Sequence, residues 1–175
     1  MSVMEHVAFL LGINVGRRSV KMAELKALME REGYEDVRTV VASGNVRFSA
    51  GKTAALVKKL EEAYEKHFGF KIGVIVRTVG ELEKMDKANP FKKVKVTKNT
   101  RRYVTFLSDT TKKPLKAGRV SGEYRILKVT PGEVYSVLEL NPKMATPDVM
   151  KLLGVAYGRR ITTRNWNTIE KLLKK

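Results

Sequence analysis

At 175 residues, 43% of them hydrophobic, the chain holds enough apolar material for one large domain or two small ones around an ordinary core. The absence of cysteine removes disulfides, thiolate nucleophiles and cysteine metal centres, and the two histidines, His6 and His67, make no zinc spacing, so neither a metal nor a cofactor is expected. The formal charge of +17 is uneven, with 15 basic and 12 acidic side chains in residues 1–90 against 20 and 6 in residues 91–175, which directs the second half toward an anionic partner unless the lysines form a merely solvated surface.

Residues 1–6 carry no basic leader, and Val7–Leu11 is too short for a signal segment or a membrane span, so a cytoplasmic protein without a membrane segment is expected. Val7–Ile13 reads as a buried strand opening into a glycine loop. From Lys21 to Glu32, Met22, Leu25, Leu28 and Met29 recur at helical spacing, and Gly33 stops the run. Val37–Ala42 and Asn45–Ser49 are strand-like segments around a Ser43-Gly44 turn. Thr53–Phe68 is amphipathic, Ile72–Arg77 alternates like a strand, and Gly80–Ala88 reads as a short helix. This order of strand, helix, strand, strand, helix, strand is the ferredoxin-like one.

Lys92 to Lys98 is a basic connector, which places a domain boundary at 91–100 between residues 1–90 and 101–175. Arg102–Leu107, Glu123–Val129 and Val134–Leu140 are strand candidates, with Thr130-Pro131-Gly132-Glu133 as the turn between the last two. A helix over Pro147–Leu153 is expected to be capped by Thr146, and another runs from Asn165 to Leu173. With Ile161–Thr163 as a short strand, the second half repeats the first in degenerate form, its first helix reduced to residues 113–118. The expected class is α+β: two related ferredoxin-like halves plus a C-terminal helix.

Four short motifs follow one another along the chain: Gly12-Ile13-Asn14-Val15-Gly16, Ser43-Gly44-Asn45, Asn89-Pro90-Phe91 and Thr163-Arg164-Asn165-Trp166-Asn167-Thr168, the first followed by Met22-Ala23-Glu24-Leu25. As an ordered set they resemble the family called domain of unknown function 1697 (DUF1697), over about Phe9 to Leu173. The chain departs from that family's usual pattern at Leu11, where arginine is frequent, and at Arg17, where a second glycine is frequent. The resemblance implies two related α+β halves and brings no established activity.

The residues themselves supply the chemical candidates. Gly12, Asn14 and Gly16 lie between a strand and a helix, where free backbone donors suit an anion, and Arg17 and Arg18 add paired donors for phosphate. A tight connection needing glycine is the competing explanation. The spacing excludes a P-loop, and Gly51-Lys52-Thr53 fails the same test because the upstream glycine, Gly44, is too distant. Arg164 and Asn165 could clamp a phosphorylated or planar ligand, although Asn165 also suits a helix cap and Trp166 a core anchor. Ser43 and Asn45 could join the first loop, and turn chemistry explains them equally well.

Two readings of function result. In the first, nucleic acid meets a basic surface that includes Lys92, Lys93, Lys95, Arg101 and Arg102, although Tyr103 and Phe106 lack the spacing of aromatic RNA-binding strands. In the second, a phosphate-bearing small molecule occupies a binding or catalytic site between the halves, lined by Asn14, Arg17, Arg77, Arg164 and Asn165. No general base or nucleophile emerges for it: His67 falls on an apolar helix face, and Glu61-Glu62 and Glu30-Arg31-Glu32 read as solvated faces. A structural or protein-interaction role is the third class.

Overall fold

Alternation of apolar residues builds the first sheet. The computed structural model describes residues 2–51, 53–108 and 114–175, and these divide into two units: the chain up to Lys84 together with Lys171–Lys175, and Met85–Glu170. The first unit contains β1 (Val3–Leu10), α1 (Met22–Arg31), β2 (Glu35–Thr39), β3 (Asn45–Gly51), α2 (Leu56–Phe68), β4 (Val74–Thr78) and the start of α3 (Val79–Ala88). Its strands lie in the order β2-β3-β1-β4, with every neighbouring pair antiparallel. Ala8, Leu10, Val46, Phe48 and Val74 share one face of the sheet and bury against Leu25, Leu28 and Met29 of α1 and Leu56, Leu60 and Tyr64 of α2. Period 2 in the strands and period 3.6 in the helices thus meet in one core.

β1 starts four residues before the apolar run, because Val3 to His6 pair along β3 although Glu5 and His6 are polar. α1 closes at Gly33, where φ is +87° and Tyr34 N–H donates to Met29 O at 3.1 Å. α3 opens with a reciprocal cap: Thr78 N–H donates to Glu81 Oε2 at 2.7 Å, and Glu81 N–H donates to Thr78 Oγ1 at 3.1 Å. Lys171–Lys175 belong to this unit through arginines of β2 and β3. Arg38 Nη2 donates to the carbonyls of Leu172 (3.0 Å) and Lys174 (2.8 Å), and Arg47 Nη1 donates to Leu172 O at 2.8 Å. Cationic donors on the last carbonyls of a helix satisfy groups that have no partner within it.

The second unit contains β5 (Thr100–Leu107), β6 (Gly118–Ser121), β7 (Tyr124–Val129), β8 (Glu133–Glu139), α4 (Val149–Tyr157), β9 (Ile161–Asn165) and the start of α5 (Trp166–Leu173). Its sheet runs β6-β7-β8-β5-β9, so without the edge strand β6 it repeats the order of the first sheet. The two ferredoxin-like halves expected from the sequence are therefore present, and α5 follows the last strand. Leu107, Tyr124, Ile126, Val134 and Leu138 pack against Leu153 and Tyr157 of α4. The reduced helix expected at 113–118 begins at a residue outside those described, and Pro114 to Lys116 are not helical.

Two further details differ from the sequence reading. β6 carries no apolar alternation, and all four of its residues are exposed, so burial gave it no signal. The cap of α4 is Asp148, whose Oδ1 accepts from Lys151 N–H at 3.0 Å, in place of Thr146. The carboxylate adds charge complementarity at a helix start to the geometry a hydroxyl would offer. The segment 91–100 lies wholly in the second unit. It is hydrogen-bonded from Lys92 N–H to Asn89 O (3.2 Å), Val94 N–H to Phe91 O (2.9 Å) and Thr100 N–H to Thr97 O (3.1 Å), and anchored by the buried Phe91. Among the described residues no helix is long and apolar enough to cross a membrane.

Candidate functional site

In the first unit the loop after β1 turns on three left-handed residues, Gly12 (φ +61°), Asn14 (φ +55°) and Gly16 (φ +61°). Asn14 binds on both sides: its Nδ2 donates to Ala42 O at 2.6 Å and its Oδ1 accepts from Val20 N–H at 2.9 Å, while its own N–H donates to Arg18 O at 2.7 Å. An amide is needed for this because it offers a donor and an acceptor from one short side chain. The turn at Ser43-Gly44-Asn45 is locked in the same way. Asn45, fully buried, donates to Val40 O at 2.8 Å and Ser43 Oγ at 2.9 Å, and Gly44 O accepts from Leu10 N–H at 2.9 Å.

The Asn14 Nδ2 bond to Ala42 O thus joins the loop to the residue that precedes the hairpin turn. Arg18 is committed as well: its Nη2 donates to Lys71 O, and its guanidinium lies 5.1 Å from the Phe70 ring centroid. Arg17 is exposed and makes no hydrogen bond or ion pair among the described residues, which leaves it as the loop's available cation. Arg77 stands on β4 opposite Val7, donating to Val76 O at 3.1 Å, whereas the loop follows Leu10, whose strand partner is Val74.

In the second unit Arg164 is only 7% exposed. Its Nη1 donates to Thr162 Oγ1 and to Thr163 O (3.1 Å), and burial lowers its pKa to about 10, which leaves it charged at neutral pH. A buried guanidinium of this kind needs its internal acceptors. Asn165 accepts from Asn167 N–H at 2.9 Å and so caps α5. Trp166, 3% exposed, packs with ring centroids 5.2 Å from Phe91 and 6.1 Å from Tyr135.

The basic candidates separate by commitment. Arg101 donates to Lys98 O (2.9 Å) and Thr100 O (3.2 Å), while Arg102 donates to Asn167 Oδ1 (2.7 Å), lies 3.6 Å from Glu170 and sits 5.8 Å from the Phe91 ring. Lys92, Lys93, Lys95 and Lys98 are all exposed, and none has an ion-pair partner among the described residues.

The histidines occupy different chemical settings. His67 donates from Nε2 to Glu24 at 2.9 Å and accepts at Nδ1 from Arg31 at 3.3 Å, tying α2 to α1 with its tautomer set by those partners. His6 was not a candidate in the sequence, yet it is 5% exposed and stacked 5.7 Å from Phe48, with both ring nitrogens shielded from solvent. The available signal was its position, two residues from Ala8 and four from Leu10 on the face that points to the core.

Burial holds the His6 imidazole below its ordinary 6.5, against weaker opposite effects from the Ala50 backbone and Glu81. The unfolded chain therefore binds more protons than the folded one below that value, and stability rises with pH across the window. Urea unfolding followed from about pH 7 down to about pH 5 should show stability falling, and His6→Phe should flatten that fall. An unchanged profile in the variant would show that His6 does not contribute.

A solved structure of a conserved bacterial protein, SP0830 from Streptococcus pneumoniae, has the same fold: the TM-score is 0.74 at 24% identity, over 99% of this chain and 100% of that one. No curated protein matches the chain. The family model described as protein of unknown function (DUF1697) matches residues 3–148, which takes in the Gly12 loop, the Ser43 turn and the lysine segment and stops short of Arg164. The chain therefore belongs to the DUF1697 family.

Proposed function

We propose that this protein binds phosphate-bearing ligands, nucleic acid ahead of small molecules, through the lysine segment of its second unit. The observation that supports the reading is the exposure of Lys92, Lys93, Lys95 and Lys98 along one hydrogen-bonded segment, in a stretch with no acidic residue from Lys87 to Ser108. A cation whose charge is already neutralised by a neighbour has less to gain from a phosphate. These four lysines are not so neutralised, whereas Arg101 and Arg102 hold the segment and the start of α5. Binding of this kind reads backbone charge with little sequence preference. A cytoplasmic setting goes with the reading. Arg17 on the Gly12 loop offers a phosphate-bearing small molecule a separate contact in the first unit.

Anisotropy titrations of a labelled single-stranded oligonucleotide between about 50 and 200 mM salt test the proposal. The parent should weaken steeply with salt. The triple variant Lys92→Glu, Lys93→Glu, Lys95→Glu should lose at least about ten-fold in affinity at the lower salt, with a slope shallower by about 2, since each single-strand phosphate contact contributes about 0.7. Unchanged affinity and slope in the variant, or no binding by the parent at the lower salt, would refute it.

A further inference from the structure

In the second unit α4 covers one face of the sheet, and arginines stand on the other. Tyr124, Ile126, Val134 and Leu138 pack toward α4, so Arg125, between the first two, points away from it. Its cross-strand partners extend that outer face on both sides: Arg119 on β6, and Val137 on β8, which in turn faces Arg102 on β5. Lys128, opposite Tyr135, lies in the neighbouring row. Phe91, the residue before Lys92, meets both rows, with the Arg102 guanidinium 5.8 Å from its ring and the Tyr135 ring 6.2 Å away. At about 4.8 Å per strand, the row from Arg102 to Arg119 is about 14 Å long.

Two features of β6 are unfavourable in the protein alone. All four of its residues are exposed, so the strand buries nothing. It also sets Arg119 directly against Arg125, both exposed, and like charges directly opposite destabilise a strand pair. Arg119, Arg125 and Lys128 make no hydrogen bond or ion pair among the described residues. Of the carboxylates on this face, Glu139 accepts from Thr100 Oγ1 at 3.1 Å and Glu133 from Thr130 Oγ1 at 2.7 Å, at its two ends. Glu123, two residues from Arg125, is then set against three cations. A charge on an edge strand deters a further strand from pairing, which accounts for Arg119 but not for Arg125 and Lys128 on the strand inside it. An anion between the two guanidinium groups turns their repulsion into attraction, and paired arginine donors match phosphate oxygens.

We propose that this face is the second contact of the nucleic acid bound by the lysine segment, with Arg119, Arg125 and Lys128 on its phosphates. This rests on the lysine segment binding nucleic acid, and it gives that ligand a path across the strands, from Lys92 toward β6.

The test repeats the salt titration of the labelled single-stranded oligonucleotide with the full-length triple variant Arg119→Gln, Arg125→Gln, Lys128→Gln. Affinity at about 50 mM salt should fall at least about ten-fold, and the slope should be shallower by about 2, from three contacts of about 0.7 each. The double variant Arg119→Lys, Arg125→Lys keeps both charges and should keep the parent's slope. Lys128→Gln alone leaves β6 untouched and should make the slope shallower by about 0.7, so loosening of the hairpin in the triple variant leaves the test intact. Parent-like affinity and slope in the triple variant, beside loss of binding in the Lys92, Lys93 and Lys95 variant, would overturn this contact and leave the lysine reading standing. No binding by the parent would overturn both.

Discussion

Replacing Trp166 by alanine should destabilise the protein by about 3–5 kcal/mol, the range for removing a buried tryptophan when its surroundings relax only partly. The ring is 3% exposed and meets Phe91 and Tyr135 at centroid separations of 5.2 and 6.1 Å, the latter two being 6.2 Å apart. Three mutually packed aromatic rings exceed their area burial by about 0.5–1.5 kcal/mol per pair. Because Phe91 anchors the turn that leads into the lysine segment, the variant should also loosen that segment. Urea denaturation followed by far-ultraviolet circular dichroism is the suitable measurement, since the substitution removes the chain's single tryptophan and its fluorescence. A loss below about 1 kcal/mol would contradict the packing described.

Gly44→Ala should cost about 2–5 kcal/mol, adding the strain of a left-handed alanine to overpacking at a tight contact. Gly44 has φ +82°, and an added methyl carbon would lie 2.6 Å from Ile13 Cδ1 and 2.9 Å from Leu10 Cβ. The isoleucine tip can rotate away. The leucine Cβ cannot move without the backbone of β1, which is paired on both sides. Gly33→Ala is the matched control: φ is +87° there, but nothing lies within 4 Å of the added carbon, so strain alone of about 1–2 kcal/mol should appear. Equal losses in the two variants, measured under the same denaturant conditions, would show that the approach of Gly44 to β1 carries no energetic weight.

The fold was legible wherever burial wrote a period into the sequence. Ala8 and Leu10, and Leu25, Leu28 and Met29, reveal their strand and helix because the core selects every second residue of one and every third or fourth of the other. Gly118–Ser121 gave nothing because an exposed edge strand is specified by pairing to its neighbour, which composition does not record. The functional motifs were harder to read for a chemical reason. Asn14 and Arg18 were candidates for an anion because glycine, asparagine and arginine supply the donors phosphate needs. Here the same donors are spent on Ala42 O and Lys71 O. Sequence alone does not distinguish a loop that binds a ligand from one that binds its own backbone, since the donor inventory is identical. Arg164 illustrates the same ambiguity: spacing gave its residue type, and only the packing of β9 gave its depth.

The arginine contacts from β2 and β3 to Leu172 and Lys174 join residues 125 to 136 positions apart. During synthesis, the strands that supply those guanidinium groups leave the ribosome long before the carbonyls they bind, with all of Met85–Glu170 translated in between. The first unit is thus discontinuous, and its final strap is added after the second has been made. Closing a loop of that length is slow while it is a flexible coil, and prior folding of the inserted unit shortens the span to be closed. Nascent chains arrested before residue 171 should accordingly hold a first unit that is more readily cleaved by protease than the same unit in the released protein.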